Sequence, residues 1–384
     1  MPEQPLEPII SRINSSELTS SLVSLAPDLV SRMDISFAPL LEIKGLLRDR
    51  LIADGKILSF PKEPVTQVES MCAIDGARIR EQMYVADLLV AVATTVDGKS
   101  AKNKLGNISS TWADILRHTD GTDRLAEAAM CCQEVLLASQ VPHKIRILDG
   151  SFQTPIIGMR EGLFVKNPMI RDKIADLLLG EWQAPVRLAQ VVMPKDGITL
   201  AVPKSDSATK YSEAYSLAYD LTINASDRFL ASQVLVPGEM LAPRKLTELA
   251  NSSVNEVEGS PRVLQAASIL RESVKQIAIA AQNGLAYTTY FKPYGPVKSG
   301  NVIRFEYVVN PSKHVDPSAV SIAIEYASIL NAECSSPALM EPFAQWAVDR
   351  NAKNISSGTS ALRQSLIRAL PPEQASLLAQ NYRT

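Results

Sequence analysis

Two short strings, CAIDGA at 72–77 and RILDGS at 146–151, constrain this chain most. In both, an apolar β-type run ends in Asp-Gly: Met71-Cys72-Ala73-Ile74 before Asp75, and Ile145-Arg146-Ile147-Leu148 before Asp149. A carboxylate at the end of a buried strand has a rigid support, and the following Gly lets the backbone turn away sharply. Two such strands side by side would hold two acids close together, a site for a divalent metal of the kind that acts on phosphate esters. Asp-Gly is also a strong hairpin signal, and the chain contains six, at Asp54, Asp75, Asp97, Asp120, Asp149 and Asp196. Asp54, Asp120 and Asp196 follow polar or mixed sequence and read as turns. Asp97 ends the apolar run VADLLVAVATTV but leads into a lysine-rich stretch, and reads as a turn into a solvated loop.

A chain of 384 residues can bury a large core. Helical and strand patterns alternate along it, which points to α/β or α+β. No apolar run reaches a membrane span; the longest, around 85–96, is interrupted by Asp87. The polar opening MPEQPLEP is unlike a signal peptide. A cytoplasmic protein without membrane contact is expected. Cys72, Cys131, Cys132 and Cys334 lack paired metal spacing and read as reduced, buried thiols. The three histidines, His118, His143 and His314, are too scattered for a zinc site or a Ser-His-Asp triad. A net charge of −2 is unlike a protein that grips nucleic acid alone. If DNA is the substrate, local clusters such as Arg78 with Arg80, or Lys204 with Lys210, or a partner protein must bring it in.

The first sixty residues read as helices. Residues 68–96 read as two long strands joined near Ala77–Arg80, followed by a loop. Residues 122–140 read as an amphipathic helix capped by Thr122 or Asp123 and ended by Pro142, and His143–Leu148 as a strand into Asp149. A proline-containing loop follows, then a helix Pro168–Leu179, a strand Ile198–Val202, a long helix Pro261–Gln282, strands at 286–292 and 302–309, and a helical C-terminal region. The expected organisation is an N-terminal helical segment, 1–65, and a single catalytic unit, 66–384.

On the 122–140 helix, Glu127 and Glu134 are seven residues apart and share a face. An acid amid apolar neighbours is costly unless it is paired or binds a metal. Glu134, between Cys131-Cys132 and Val135-Leu136-Leu137, has the more apolar surroundings, while Glu127 is flanked by alanines and reads equally as a solvated acid. Arg78 and Arg80 fall on one side of their strand, opposite Ile79, as candidates for DNA backbone contacts. Lys204, after the strand ending at Val202, reads as a solvated loop lysine or as a point charge near a scissile phosphate.

The order strand-Asp75, second strand, helix with Glu, strand-Asp149 is similar to that of RNase H-like nucleases. The chain resembles the NurA nuclease family in IDGA around Asp75, the helical Glu, and ILDGSF at 147–152. The resemblance continues more weakly through Val202-Pro203-Lys204-Ser205, Val236-Pro237-Gly238-Glu239 and Arg304-Phe305-Glu306. It implies an RNase H-like mixed sheet flanked by helices, with helical extensions at both ends. It further implies a Mn2+- or Mg2+-dependent deoxyribonuclease with Asp75, Glu134 and Asp149 as metal ligands, acting as a homodimer with the hexameric translocase HerA. The family commonly carries Tyr-Pro and then a helix with Ala-His. Here SSPALMEPFAQWA at 335–347 keeps Pro337 but has Ser336 in the Tyr position and Phe343 or Ala344 in the His position.

Two rival readings stand beside the nuclease. One is a nuclease-like scaffold that binds a translocase and DNA without cutting. The other is a sugar-kinase or actin-like ATPase, which requires glycine-rich phosphate loops; Asp75-Gly76-Ala77-Arg78 lacks a second Gly or Thr and no GxxxxGK[ST] occurs.

Overall fold

The apolar run that ends at Asp75 belongs to a twelve-residue strand at the centre of one mixed sheet in the computed structural model. The structure describes residues 15–64, 67–204, 207–294, 301–310, 318–334 and 341–379. Ser205, His314, Ser336 and Pro337, all named above, lie outside them.

The strands are β1 (Ile57–Ser59), β2 (Met71–Gln82), β3 (Asp87–Asp97), β4 (Ser109–Leu116) and β5 (Ile145–Asp149). They continue with β6 (Ile198–Val202), β7 (Glu239–Leu241), β8 (Arg244–Lys245), β9 (Ala286–Phe291) and β10 (Ile303–Val308). The helices begin with α1 (Ser15–Ser24), α2 (Ala26–Ala53), α3 (Thr122–Gln140), α4 (Gln153–Leu163), α5 (Pro168–Leu179), α6 (Ala184–Val192) and α7 (Lys210–Tyr219). They end with α8 (Asp227–Val234), α9 (Thr247–Ala250), α10 (Pro261–Gln282), α11 (Ala319–Glu333), α12 (Phe343–Lys353), α13 (Ile355–Ala369) and α14 (Pro372–Ala379).

The sheet order is β1-β7-β9-β10-β6-β5-β2-β3-β4, with β8 paired to β9. Strands β2, β5 and β6 run parallel in the middle, and the pairings on either side are antiparallel. This is the RNase H-like mixed α/β sheet expected from the sequence, flanked by helices. The parallel strands are covered on both faces, so their residues are apolar in continuous runs rather than alternating. On one face, Cys72, Ile74, Leu148 and Ala201 pack with α3, α4, α5, α6 and α10. On the other, Met71, Ala73, Ile145, Ile147, Leu200 and Val202 pack with α11 and α12. All four cysteines are buried and free.

Several local expectations are corrected. The strands β2 and β3 are not joined near Ala77–Arg80: β2 runs on to Gln82, and Arg78 and Arg80 pair with Ala91 and Leu89. After the expected loop, residues 109–116, given no element in the sequence reading, form strand β4, and the expected proline-containing loop after Asp149 holds helix α4. Helix α3 spans the expected residues, but its N-cap is Gly121 in the left-handed region, with no side-chain cap from Thr122 or Asp123. Asp97 does end its strand; its Oδ1 receives a 2.7 Å hydrogen bond from His143 Nε2, and His143 is buried.

Candidate metal centre

The parallel register places the two opening strings side by side. Met71 through Ile74 on β2 pair with Ile145 through Leu148 on β5. The next residue on each strand is the acid, Asp75 beside Asp149. By alternation both follow Ala73 and Ile147 toward the α12 face. The oxygens of Asp75, Asp149 and Asp349 on α12 approach within 4.8 Å of one another.

Glu134 enters from the opposite face, and a glycine makes room for it. A Cβ at position 76 would lie 2.4 Å from Glu134 Oε1 and 2.6 Å from Met130 Cγ. Gly76 therefore does not turn the chain. It continues β2 and lets α3 bring Glu134 against the backbone beside Asp75. Gly150 does act as the sequence suggested: its φ of 111° turns the chain out of β5. Of the two glutamates left open, Glu134 faces the aspartates, whereas Glu127 pairs with Arg124 at 2.8 Å and Arg78 at 3.6 Å.

Crowding of acids shapes the electrostatics. Burial, then the neighbouring Asp149, pushes Asp75 up to about 7. Burial, then Asp75 and Asp149, drives Glu134 well above the usual carboxylate range. Lys204 is not a solvated loop lysine. Its Nζ lies 2.7 Å from Asp149, 2.8 Å from Asp349 and 3.4 Å from Glu341. Burial opposes charge on Asp349, but hydrogen bonds from Lys204 and Lys353 prevail and hold its carboxyl below the usual range.

Sequence reasoning looked for histidine on α12 and set Phe343 or Ala344 in its place. The side chain that reaches the site is the next one, Gln345. It is fully buried, and its Nε2 donates to Asp149 Oδ1 and to Val202 O, both at 2.7 Å. Its Oε1 has no partner among the described residues. Asp349 was also missed; its signal was the four-residue spacing Gln345, Asp349, Lys353 along one helical face.

Beside the acids opens a cleft of about 620 Å³, lined among others by Asp75, Glu134, Asp149, Lys210, Arg304 and Glu306. Arg304 bonds Glu306 at 2.7 Å, and the other Glu306 oxygen accepts from Phe152 N–H at the start of α4. Arg78 and Arg80 lie outside this cleft, on one face of β2 as expected. Arg78 donates to Asp123 O, and Arg80 pairs with Asp123 at 3.1 Å and Asp87 at 2.9 Å. Asp87 is fully buried and also accepts from His118 and Thr122. Removing it leaves Arg80 only the exposed Asp123 and takes the acceptor from His118 and Thr122, so Asp87→Ala should lower unfolding stability by about 3 kcal/mol, read by urea denaturation.

The residues present suit a divalent cation. The donors are hard carboxylate oxygens on rigid strands, their mutual repulsion is what a dication relieves, and Gln345 Oε1 is a buried acceptor left over beside them. The sheet defines an RNase H-like mixed α/β fold, with this acidic cluster where β2 and β5 lie side by side.

Comparison with solved structures sharpens the fold: it is a divergent NurA-like fold. The chain is similar to the NurA nuclease from Sulfolobus solfataricus, with 15% identity, a TM-score of 0.52, and 91% of this chain and 97% of that one covered. It is similar to NurA bound to dAMP and manganese, with 12% identity, a TM-score of 0.52, and 95% and 100% covered. A further NurA structure aligns with 12% identity and a TM-score of 0.50 over 93% and 99%. No protein-family model and no curated protein matches the sequence. Among the described residues, no helix is long and apolar enough to cross a membrane.

Proposed function

We propose that this chain is a metal-dependent deoxyribonuclease that hydrolyses phosphodiester bonds with Mn2+ or Mg2+ in a two-metal mode. The observation that carries this reading is the in-register pair Asp75 and Asp149, met by Asp349 from one face and Glu134 from the other. Asp75, Glu134 and Asp149 would hold the ions, with Asp349 adjoining. A divalent ion bound there supplies an activated water and neutralises charge on the departing oxygen. The chain's own residues do the positioning. Gln345 orients Asp149, and Arg304, Lys210 and Lys204 place positive charge along a cleft large enough for a nucleotide. The NurA structure that binds dAMP and manganese supports a nucleic-acid substrate for this fold.

The partners follow from the same reading. The chain acts as a homodimer with a HerA-type hexameric ATPase translocase, in the cytoplasm, in DNA end processing or anti-phage defence. The NurA-like fold over more than nine-tenths of the chain supports this. So does the net charge of −2, which leaves DNA delivery to local clusters and a partner. Arg78 and Arg80 are proposed backbone contacts, because with Arg124 they line an open polar recess on the surface.

One observation favours a second reading, a weakened nuclease that serves as a scaffold for translocase and DNA. Helix α12 presents Gln345 to Asp149, while the position where the family resemblance implies a histidine holds Phe343 or Ala344. Incubating the purified protein and a HerA-type partner with linear DNA separates the two readings. Cleavage with Mn2+ that EDTA abolishes supports the nuclease; intact DNA bound by the complex supports the scaffold.

A further inference from the structure

We propose that the Lys204 ammonium is a resident counter-ion of the metal centre. It balances the carboxylates before a divalent cation arrives, and it must leave Asp149 when one binds. This rests on the metal-centre reading above and goes further, by making one side chain a competitor for the ion.

The bonds of Asp149 carry the argument. Its Oδ2 is held by Lys204 and its Oδ1 by Gln345, each at 2.7 Å. Both oxygens of a proposed ligand are thus already bonded to protein. Lys204 also holds Asp349, so it touches two of the three carboxylates that come within 4.8 Å of one another. The ammonium therefore sits among the same oxygens a cation would use. An ammonium and a dication on one carboxylate repel each other strongly in a partly buried site. One must yield.

The structure also provides a place for the displaced head. Lys204 borders the large cleft on one side and, on the other, a recess of about 210 Å³ lined with Glu341, Gln345 and Arg228. Glu341 already lies 3.4 Å from Nζ, and Gln345 Oε1, without a partner among the described residues, is a buried acceptor of a residue lining the same recess. The flexible four-carbon stem allows the head to shift without moving the backbone. Lys204 exchanges Asp149 for Glu341 and the Gln345 carbonyl while Asp349 keeps hold of it.

Mn2+ binding to the full-length protein at low salt, measured by calorimetry and by the EPR signal of free Mn2+, tests this. Lys204→Met should bind Mn2+ about tenfold tighter than wild type, because the competitor is gone. Lys204→Arg, which keeps a cation there, should stay near the wild-type affinity. A Lys204→Met affinity equal to or weaker than wild type overturns the proposal, and the Arg variant guards against a folding defect. Asp149→Ala keeps this apart from the parent reading. If Asp149→Ala abolishes binding while Lys204→Met leaves it unchanged, only the counter-ion role fails. If wild type, Lys204→Met and Asp149→Ala all fail to bind Mn2+, the metal centre itself fails and takes the counter-ion role with it.

Discussion

Asp75→Asn and Asp149→Asn should each reduce manganese-dependent cleavage of linear DNA by about 10³-fold, because losing a ligand forfeits several kcal/mol of charge stabilisation at the reacting phosphate. Neither change should unfold the protein. Asp75 lies within β2 and Asp149 ends β5, and an amide removes charge while keeping shape. The pH dependence gives the claim a second readout. The Asp75 carboxyl titrates near 4 in an unfolded chain and at about 7 in the fold. Its contribution to stability is therefore full below the unfolded value and is lost as pH rises through about 7. Metal-free protein should lose thermal stability between pH of about 4 and 7, and Asp75→Asn should flatten that slope. Added Mn2+ should flatten it too, releasing protons as it binds below pH of about 7. Wild-type cleavage rates in both variants would contradict the assigned site.

Gly76→Ala should be nearly as damaging to cleavage, although it touches no charge. The new methyl would meet Glu134 Oε1 at 2.4 Å and Met130 Cγ at 2.6 Å, closer than real contacts allow. Strand β2 cannot move away, because Gly76 is paired with Ala93 in the sheet and residues 71–74 of the same strand pair with β5. The yielding partner is Glu134, the longer and more flexible of the groups, which is pushed off the aspartates. A misplacement of about 1 Å in a reacting constellation costs on the order of 10²-fold in rate. Overpacking costs stability by about 1–3 kcal/mol. A turnover loss of that size in a folded Gly76→Ala protein would show that Glu134 acts at the centre. Unchanged turnover would show that Glu134 is a bystander.

The acids were legible in sequence because each breaks an apolar pattern: Asp75 and Asp149 end β-type runs, and Glu134 interrupts a helix that is buried nearly all round. The helices α5 and α10 were legible to their boundaries for a similar reason, since Asn167-Pro168 and Ser260-Pro261 combine a capping side chain with proline in the first turn. What escaped had signals that local rules assign elsewhere. Pro155, Gly158 and Gly162 make α4 look like loop. The glycines serve packing, since a Cβ at 158 would lie 2.5 Å from Cys131 Sγ. Strand β4, at the sheet edge, alternates between exposed and half-buried residues, with only Leu116 buried, so no apolar run marks it. Asp-Gly at 75 looks like a turn, but the demand for a bare backbone under Glu134 prevails. The spacing of Gln345 and Asp349 puts them on one helical face but does not say what that face meets, because their relation to Asp149 is tertiary, across nearly two hundred residues of chain. It exists only once α12 is laid over the ends of β5 and β6.

The central claim is that Asp75 and Asp149 form a metal centre. Crystals of this protein soaked in Mn2+, with diffraction collected at the manganese absorption edge, test it most directly. The account predicts an anomalous peak coordinated by Asp75 and Asp149, with the Lys204 head withdrawn from Asp149. A map with no peak between these two carboxylates, or with manganese bound only elsewhere, would contradict it.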